Sequence, residues 1–150
     1  MQAIILAAGM GRRLGDLTRN NTKCMVKVNG TALIDRLLTQ LSRLTLQRVV
    51  IVVGYEGQKL KDYIGQRYDD VLHIEYVNNP VYDKTNNIYS LWLTIEIVGG
   101  KDFILLDSDI LFDPEIVARM LRQERTSLAV NAHELGDEEI KVIVDDERNV

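Results

Sequence analysis

The stretch from Ile5 to Gly30 reads ILAAGMGRRLGDLTRNNTKCMVKVNG. Gly9 and Gly11 follow an apolar run directly, and a missing side chain lets backbone N–H groups approach an anion closely. Arg12 and Arg13 add planar, permanent positive charge, and Lys23 and Lys27 bring further cations. These residues suit the binding of phosphate. Much later, ILLDSDILF places Asp107 and Asp109 at positions i and i+2. At a strand end such positions project to the same side, and two carboxylates so placed repel unless a cation lies near. Mg²⁺ is the natural cation, because it prefers oxygen ligands and shares them with substrate phosphates. A solvated turn is the competing reading of the same acids.

Two familiar phosphate loops fit poorly. A dinucleotide fingerprint needs G-x-G-x-x-G, but Leu14 stands at the third glycine position and Gly15 follows it. Glu56 would then have to serve as the ribose acid. The P-loop string G-x-x-x-x-G-K-[ST] does not occur. Taken alone, glycine plus arginine suits an ordinary flexible loop nearly as well as a phosphate cradle.

The elements that must position these groups are legible as a β-α alternation. AIILAA (Ala3 to Ala8) and RVVIVVG (Arg48 to Gly54) are continuously apolar, as strands buried on both faces are. Between them, Leu33, Ile34, Leu37, Leu38, Leu41 and Leu44 form one helical stripe, with Thr31 as the expected N-cap. A helix is expected over Gly57 to Tyr68, and LHIEYV (Leu72 to Val77) alternates as a third strand. Asn87 to Val98 reads as a helix with Ile88, Leu91, Trp92 and Ile95 inward. DFILLD (Asp102 to Asp107) is the fourth strand, and Asp113-Pro114 starts another helix with Asp113 as its cap. Ser127 to Ala132 and Ile140 to Asp146 read as late strands. The order predicts an α/β fold with a largely parallel sheet, whose ligands sit beyond the carboxyl ends of the strands.

Composition sets the outer bounds. The 150 residues favour one domain, and 46% are hydrophobic, as in a folded soluble protein. The formal net charge of −4 argues against wholesale nucleic-acid binding, which usually needs a basic face. The single cysteine, Cys24, excludes an internal disulfide and reads as a small buried thiol. Ala3 to Ala8 is far too short to span a membrane, and no basic segment precedes it, so a cytoplasmic location is expected. His73 and His133 have no acid at a suggestive spacing and read as structural.

At full length the opening stretch resembles the signature of the nucleotidyltransferase superfamily that makes activated sugars and alcohols. The matching strings are LAAGMGRRL and, further on, TKCMVKV. The resemblance implies a Rossmann-like three-layer sandwich with a mostly parallel central sheet. It implies that Leu6, Ala7, Ala8, Gly9, Gly11 and Arg12 line the nucleotide, and that Arg13 and Lys23 serve catalysis at the triphosphate. It also implies Mg²⁺ at Asp109, with Asp107 as the added acid of a D-x-D variant. Two positions depart from the pattern: Thr22 replaces the usual proline before the lysine, and Lys27 replaces a common proline after it. The family's second metal aspartate lies late in a longer domain, so residues 1–150 are expected to be the N-terminal portion of one nucleotidyltransferase domain.

TNNIYSL, from Thr85 to Leu91, resembles the branch that transfers cytidylyl groups to phosphocholine and related aminoalkylphosphonates. Asn86, Asn87 and Ser90 are then candidates to read the base, since side-chain amides match a pyrimidine's mixed donors and acceptors. Helix capping is the competing role for either asparagine. Tyr89 and Trp92 read as core or as part of a ligand site. GDEEIKVIV resembles a segment of the same branch, making Lys141 a candidate for the acceptor phosphate. The expected reaction is Mg²⁺-dependent transfer from CTP to a small phosphorylated acceptor, with pyrophosphate released. A sugar-1-phosphate nucleotidyltransferase using UTP, dTTP or GTP, and a non-catalytic nucleotide-binding module, stay open as alternatives. A homo-oligomer or a fusion to further domains is compatible with this reading, and neither nucleic acid nor membrane is expected as a partner.

Overall fold

The computed structural model describes residues 1–131 and 142–147. They divide into two compact units, Met1–Leu111 and Phe112–Val150.

In the first unit β1 (Gln2–Ala7), β4 (Val49–Val53), β5 (Ile74–Asn78) and β6 (Phe103–Asp107) form one parallel sheet in the order β5-β4-β1-β6. Every residue of β1 and β4 is buried, which explains why both read as unbroken apolar runs. β2 (Lys27–Val28) and β3 (Thr31–Ala32) make a small antiparallel hairpin that the sequence pattern did not reveal. Thr31 is therefore paired with Val28 in that hairpin, and Ala32 takes the N-cap position of α1 (Leu33–Leu41) expected for Thr31.

α1 buries Ile34, Leu37, Leu38 and Leu41, and α2 (Gly57–Tyr68) buries Leu60 and Ile64. The two helices share a layer, because Asp35 of α1 accepts hydrogen bonds from the Tyr63 and Tyr68 hydroxyls of α2. On the opposite face, Ile4, Leu6, Val50 and Val52 pack with Val98, Leu91 and Ile97. Those last three residues belong to α3 (Asn87–Trp92) and α4 (Ile95–Val98). The result is a three-layer sandwich. Each fully buried Val, Leu or Ile of this core contributes roughly 1.5–3 kcal/mol of apolar burial.

Two expectations are corrected. The helix expected over Asn87 to Val98 is two short helices, and Ile88, Trp92 and Ile95 are exposed rather than inward. The inward side is set instead by Ser90, Leu91, Thr94 and Val98. Asn79, itself buried, donates to the Ser90 hydroxyl at 3.0 Å and turns that polar side toward the protein. The late strands are also not formed: residues 127–131 and 142–146 carry no strand pairing. An extended segment becomes a strand only beside a backbone that completes its ladder, and no described residue of the second unit supplies one. In that unit, α5 (Pro114–Met120) starts as expected, with the Asp113 carboxylate accepting from the Glu115 N–H at 2.9 Å. His133 and Lys141 lie outside the described residues. Among the described residues, no helix is long and apolar enough to cross a membrane.

Arg48 ties the amino ends of the strands together. Its guanidinium donates to the Gln2 side-chain amide oxygen Oε1 (2.6 Å), the Glu75 carboxylate (2.8 Å) and the Ile97 backbone carbonyl (2.7 Å). The fully buried Gln2 amide then donates to the Val98 carbonyl at 2.9 Å. His73 has an acid after all, since its Nε2 lies 3.7 Å from the same Glu75 carboxylate. Removing the guanidinium strands buried acceptors, so Arg48→Ala should destabilise the fold by about 2–3 kcal/mol in urea unfolding. An unchanged midpoint would show that the network adds nothing.

Candidate active site

The chain runs from β1 to β4 and β5 on one side, then returns to β6 on the other side of β1. The loops after β1 and β6 therefore diverge at a topological switch point, where open α/β sheets bind ligands.

The loop after β1 is not a slack turn. Arg12 to Thr18 winds as short 3₁₀ turns interrupted at Gly15, whose φ of 54° and ψ of −121° lie outside the helical region. The buried Thr18 hydroxyl is shared between the Gly11 carbonyl (3.0 Å) and the Gly15 carbonyl (3.2 Å). Gly11 sits at φ 60°, and a Cβ there would lie 3.0 Å from both the Lys23 Cβ and the Thr18 Cγ2. Glycine is thus required twice over, by the backbone and by the close approach of the lysine stem. Gly9 differs: nothing lies within 4 Å of where its Cβ would stand. Leu6, Ala7 and Ala8 are packed into the core, so their contribution to a ligand falls to the backbone.

Tyr55, after β4, braces this loop. Its hydroxyl accepts from the Asn20 N–H (3.2 Å) and donates toward the Thr18 carbonyl (3.4 Å). Lys59 of α2 donates to the Asn20 carbonyl at 2.6 Å. Arg12 and Arg13 are exposed on the loop, and Arg12 Nη2 reaches the Met10 sulfur at 3.7 Å.

The loop ends at a second 3₁₀ turn, Lys23–Met25, which delivers Lys23 to the acids. Lys23 Nζ forms an ion pair with the Asp109 carboxylate. Asp107, the last residue of β6, accepts from the Asn87 amide at 3.3 Å. The two acids also feel each other. Burial first, and then the Asp109 charge, push the Asp107 carboxyl above its usual range, while Lys23 opposes the rise. The pair of carboxylates thus carries more negative charge than Lys23 offsets.

Of the three residues considered for reading a base, Asn86 caps α3 by accepting from the Tyr89 N–H at 3.4 Å. Asn87 is committed to Asp107, and Ser90 is buried against Asn79. Tyr89 and Trp92 stack at 5.5 Å with Trp92 largely exposed. Lys27 is exposed at the start of β2. The structure thus brings Gly11, Lys23, Asp107, Asp109 and Asn87 together. Sequence reasoning missed Tyr55, Thr18 and Asn79. The Gly54-Tyr55 pair closing β4 was a usable signal: a Cβ on Gly54 would lie 2.7 Å from the Tyr82 Cβ and 2.8 Å from the Ala8 carbonyl.

Comparison with known proteins places this geometry. Residues 3–144 match the MobA-like NTP transferase domain. The choline-phosphate cytidylyltransferase of Haemophilus influenzae is 34% identical over 116 residues, 77% of this chain and 47% of that protein. A UTP–glucose-1-phosphate uridylyltransferase of Haloferax volcanii is 33% identical over 145 residues, 93% of this chain and 56% of that protein. Among solved structures, the CTP:phosphocholine cytidylyltransferase of Streptococcus pneumoniae superposes with a TM-score of 0.63 at 36% identity. That match covers 72% of this chain and 44% of the other. The chain thus spans about half the length of these relatives. With a family match along most of its length and the family's sheet beneath a glycine loop, a lysine and two acids, the chain belongs to the MobA-like NTP transferase domain family.

Proposed function

We propose that the protein transfers a cytidylyl group from CTP to phosphocholine or a similar small phosphorylated alcohol or aminoalkylphosphonate. The observation that carries this reading is the Lys23–Asp109 ion pair, which joins the glycine loop to the acid loop beyond β1 and β6. The cytidylyl donor and the acceptor class rest on the TNNIYSL resemblance and on the phosphocholine enzymes among the similar proteins.

The chemistry needs no covalent enzyme intermediate. An ionised acceptor oxygen attacks the α-phosphorus in line, a new P–O bond forms, and the α–β bond breaks with its electron pair leaving on pyrophosphate. Backbone N–H groups at Gly9 to Arg12 hold the phosphates, and Arg13 and Lys23 meet the charge that develops on them. Lys23 is kept in place by Asp109 until an incoming phosphate competes for it.

Mg²⁺ fits the acids. Among the described residues, no cluster of three or more His, Cys, Asp or Glu side chains could cage a metal. Two carboxylates with uncompensated charge suit an ion that completes its shell with water and substrate phosphate. Asp107 and Asp109 would hold it, and it would supply charge neutralisation on the triphosphate. Asn87 we assign to orienting Asp107 rather than to the base.

A second reading has its own support. The uridylyltransferase match covers 93% of this chain, so a sugar 1-phosphate acceptor with UTP shares the same loop and acids.

Pyrophosphate release from CTP, UTP, dTTP and GTP, each with phosphocholine, 2-aminoethylphosphonate or glucose 1-phosphate, separates the two. CTP with one of the first two acceptors should dominate, and UTP with glucose 1-phosphate would transfer the assignment to the second reading. CTP binding without turnover would mark a binding module. Lys23→Ala or Arg13→Ala should lower turnover by roughly 10²-fold, the scale of a lost electrostatic stabiliser. Unchanged activity in either variant removes that residue from the mechanism. Asp109→Asn should abolish Mg²⁺-dependent nucleotide binding measured by calorimetry. Asn87→Ala should raise the Mg²⁺ concentration for half-saturation and leave the CTP-to-UTP preference intact. A lost preference at constant Mg²⁺ demand would return Asn87 to base reading.

A further inference from the structure

One buried side chain organises the loop between β5 and α3. Asn79 follows β5 directly and is buried. Its N–H donates to the Val53 carbonyl at the end of β4 (2.8 Å), which ties it to the sheet. Its side-chain amide reaches three separate parts of the loop. Oδ1 accepts from the Val81 N–H (3.0 Å), and Nδ2 donates to the Thr85 hydroxyl (3.1 Å) and to the Ser90 hydroxyl of α3 (3.0 Å). The Thr85 hydroxyl in turn donates to the Val81 carbonyl at 2.9 Å and closes the ring.

These contacts allow the amide one orientation. The Val81 N–H can only donate, so it needs the amide oxygen. The Thr85 hydroxyl spends its proton on the Val81 carbonyl, so toward Asn79 it can only accept. Both donors and the acceptor of the buried amide are engaged, as burial demands. Tyr82 adds a second hold, because its side chain lies against Gly54 of the β4 end and its ring meets Tyr55 at 6.2 Å.

The held loop presents one contact to the acids. Asn87 is exposed and donates to Asp107 at 3.3 Å. Its place in the chain is between Thr85 and Ser90, the two residues whose hydroxyls Asn79 binds. The backbone beneath Asn87 is therefore fixed on both sides of it.

We propose that Asn79, acting with Thr85, is a positioning residue for the acid pair: by holding Thr85 and Ser90 it aims the Asn87 amide at Asp107. The carboxylate is thus oriented before a metal–triphosphate arrives. The inference rests on the reading of Asp107 and Asp109 as metal-holding acids and extends it to a residue buried beneath the site. A hydrogen-bonded partner behind a ligating carboxylate acts in this way on metal affinity.

The probe is Mg²⁺ with inorganic tripolyphosphate, followed by calorimetry. Thr85→Val removes one hydroxyl at constant shape and should raise the Mg²⁺ concentration for half-saturation about fivefold, the scale of one buried hydrogen bond. Asn79→Ala should raise it about tenfold, and Thr85→Val carries the test if that variant fails to fold. Thr85→Ser keeps the hydroxyl and should match the natural chain. In an Asn87→Ala background Thr85→Val should add nothing, because it acts through Asn87. No loss in Thr85→Val, an equal loss in Thr85→Ser, or losses that add in the double variant would each overturn the assignment.

A second measurement needs no metal. The Asn87 side-chain NH₂ resonances, identified by their absence in Asn87→Ala, should lie away from free-amide positions in the natural chain. They should return to those positions in Asp107→Ala and in Thr85→Val. Free-amide resonances in the natural chain, or resonances that Thr85→Val leaves in place, overturn the positioning role. If the natural chain binds no Mg²⁺–tripolyphosphate, the metal reading fails, and the amide resonances judge Asn79 and Thr85 separately.

Discussion

β1 is bonded on both edges and covered on both faces, and the rest of the first unit is arranged around that fact. Its register with β4 runs from Ala3↔Val49 to Ala7↔Val53, and with β6 from Gln2↔Phe103 to Leu6↔Asp107. A strand so enclosed cannot slide without breaking two ladders and exposing apolar side chains on two faces. The loop leaving it at Ala8 therefore starts from a fixed point, and the pairing of Leu6 with Asp107 puts the first acid beside that point. Arg48 closes the far ends of the same strands, so the rigid frame has its polar fastening at one end and its chemistry at the other.

At the chemical end, charge is deliberately unbalanced. Asp109 has Lys23 as its counter-ion, whereas Asp107 has the neutral Asn87 amide and the repulsion of Asp109. An amide orients a carboxylate without cancelling its charge. That leaves two carboxylates against one lysine, next to a glycine loop that carries two exposed arginines. The metal–triphosphate complex of the proposed reaction carries both signs and would suit both groups. The exposed setting of Arg12 and Arg13 fits groups that meet a ligand from solvent, while the packed stem of Lys23 fits one that must be in place beforehand.

What the sequence made legible were features with a local signature. β1 and β4 declared themselves by unbroken apolar runs, and α2 begins at Gly57 and ends at Tyr68 as its pattern implies. Asp113 before Pro114 marked a cap through chemistry contained in three residues. The segment from Asn87 to Val98 failed for a physical reason. Apolar residues there were assigned inward, yet a buried amide at Asn79, distant in the pattern, fixed Ser90 inward and left Ile88 and Trp92 outside. The β2–β3 hairpin is too short for periodicity to register. At the site, Lys23, the two acids and Asn87 were candidates from the sequence, but the contact of Asn87 with Asp107 and the bracing by Thr18 and Tyr55 were not. Those contacts join residues 20 to 37 positions apart, or fold a loop back on itself, and no spacing rule encodes them.

The departure at Thr22 gains an explanation from its backbone. Thr22 has φ −78° and ψ 150°, the extended geometry that a proline imposes with its ring fixed near about −65°. The chain therefore enters Lys23 in a backbone geometry that a proline would also accept, without the ring that enforces it. Losing proline costs some conformational restriction in the unfolded chain, on the order of 0.4–1 kcal/mol. Threonine also brings a hydroxyl to within 3.3 Å of the buried Cys24 sulfur. Lys23 is placed by two contacts, the close approach of Gly11 to its stem and the ion pair with Asp109 that joins the two loops. A ring would fix the direction of its own loop only, whereas the ion pair ties that loop to Asp109 across the end of the sheet.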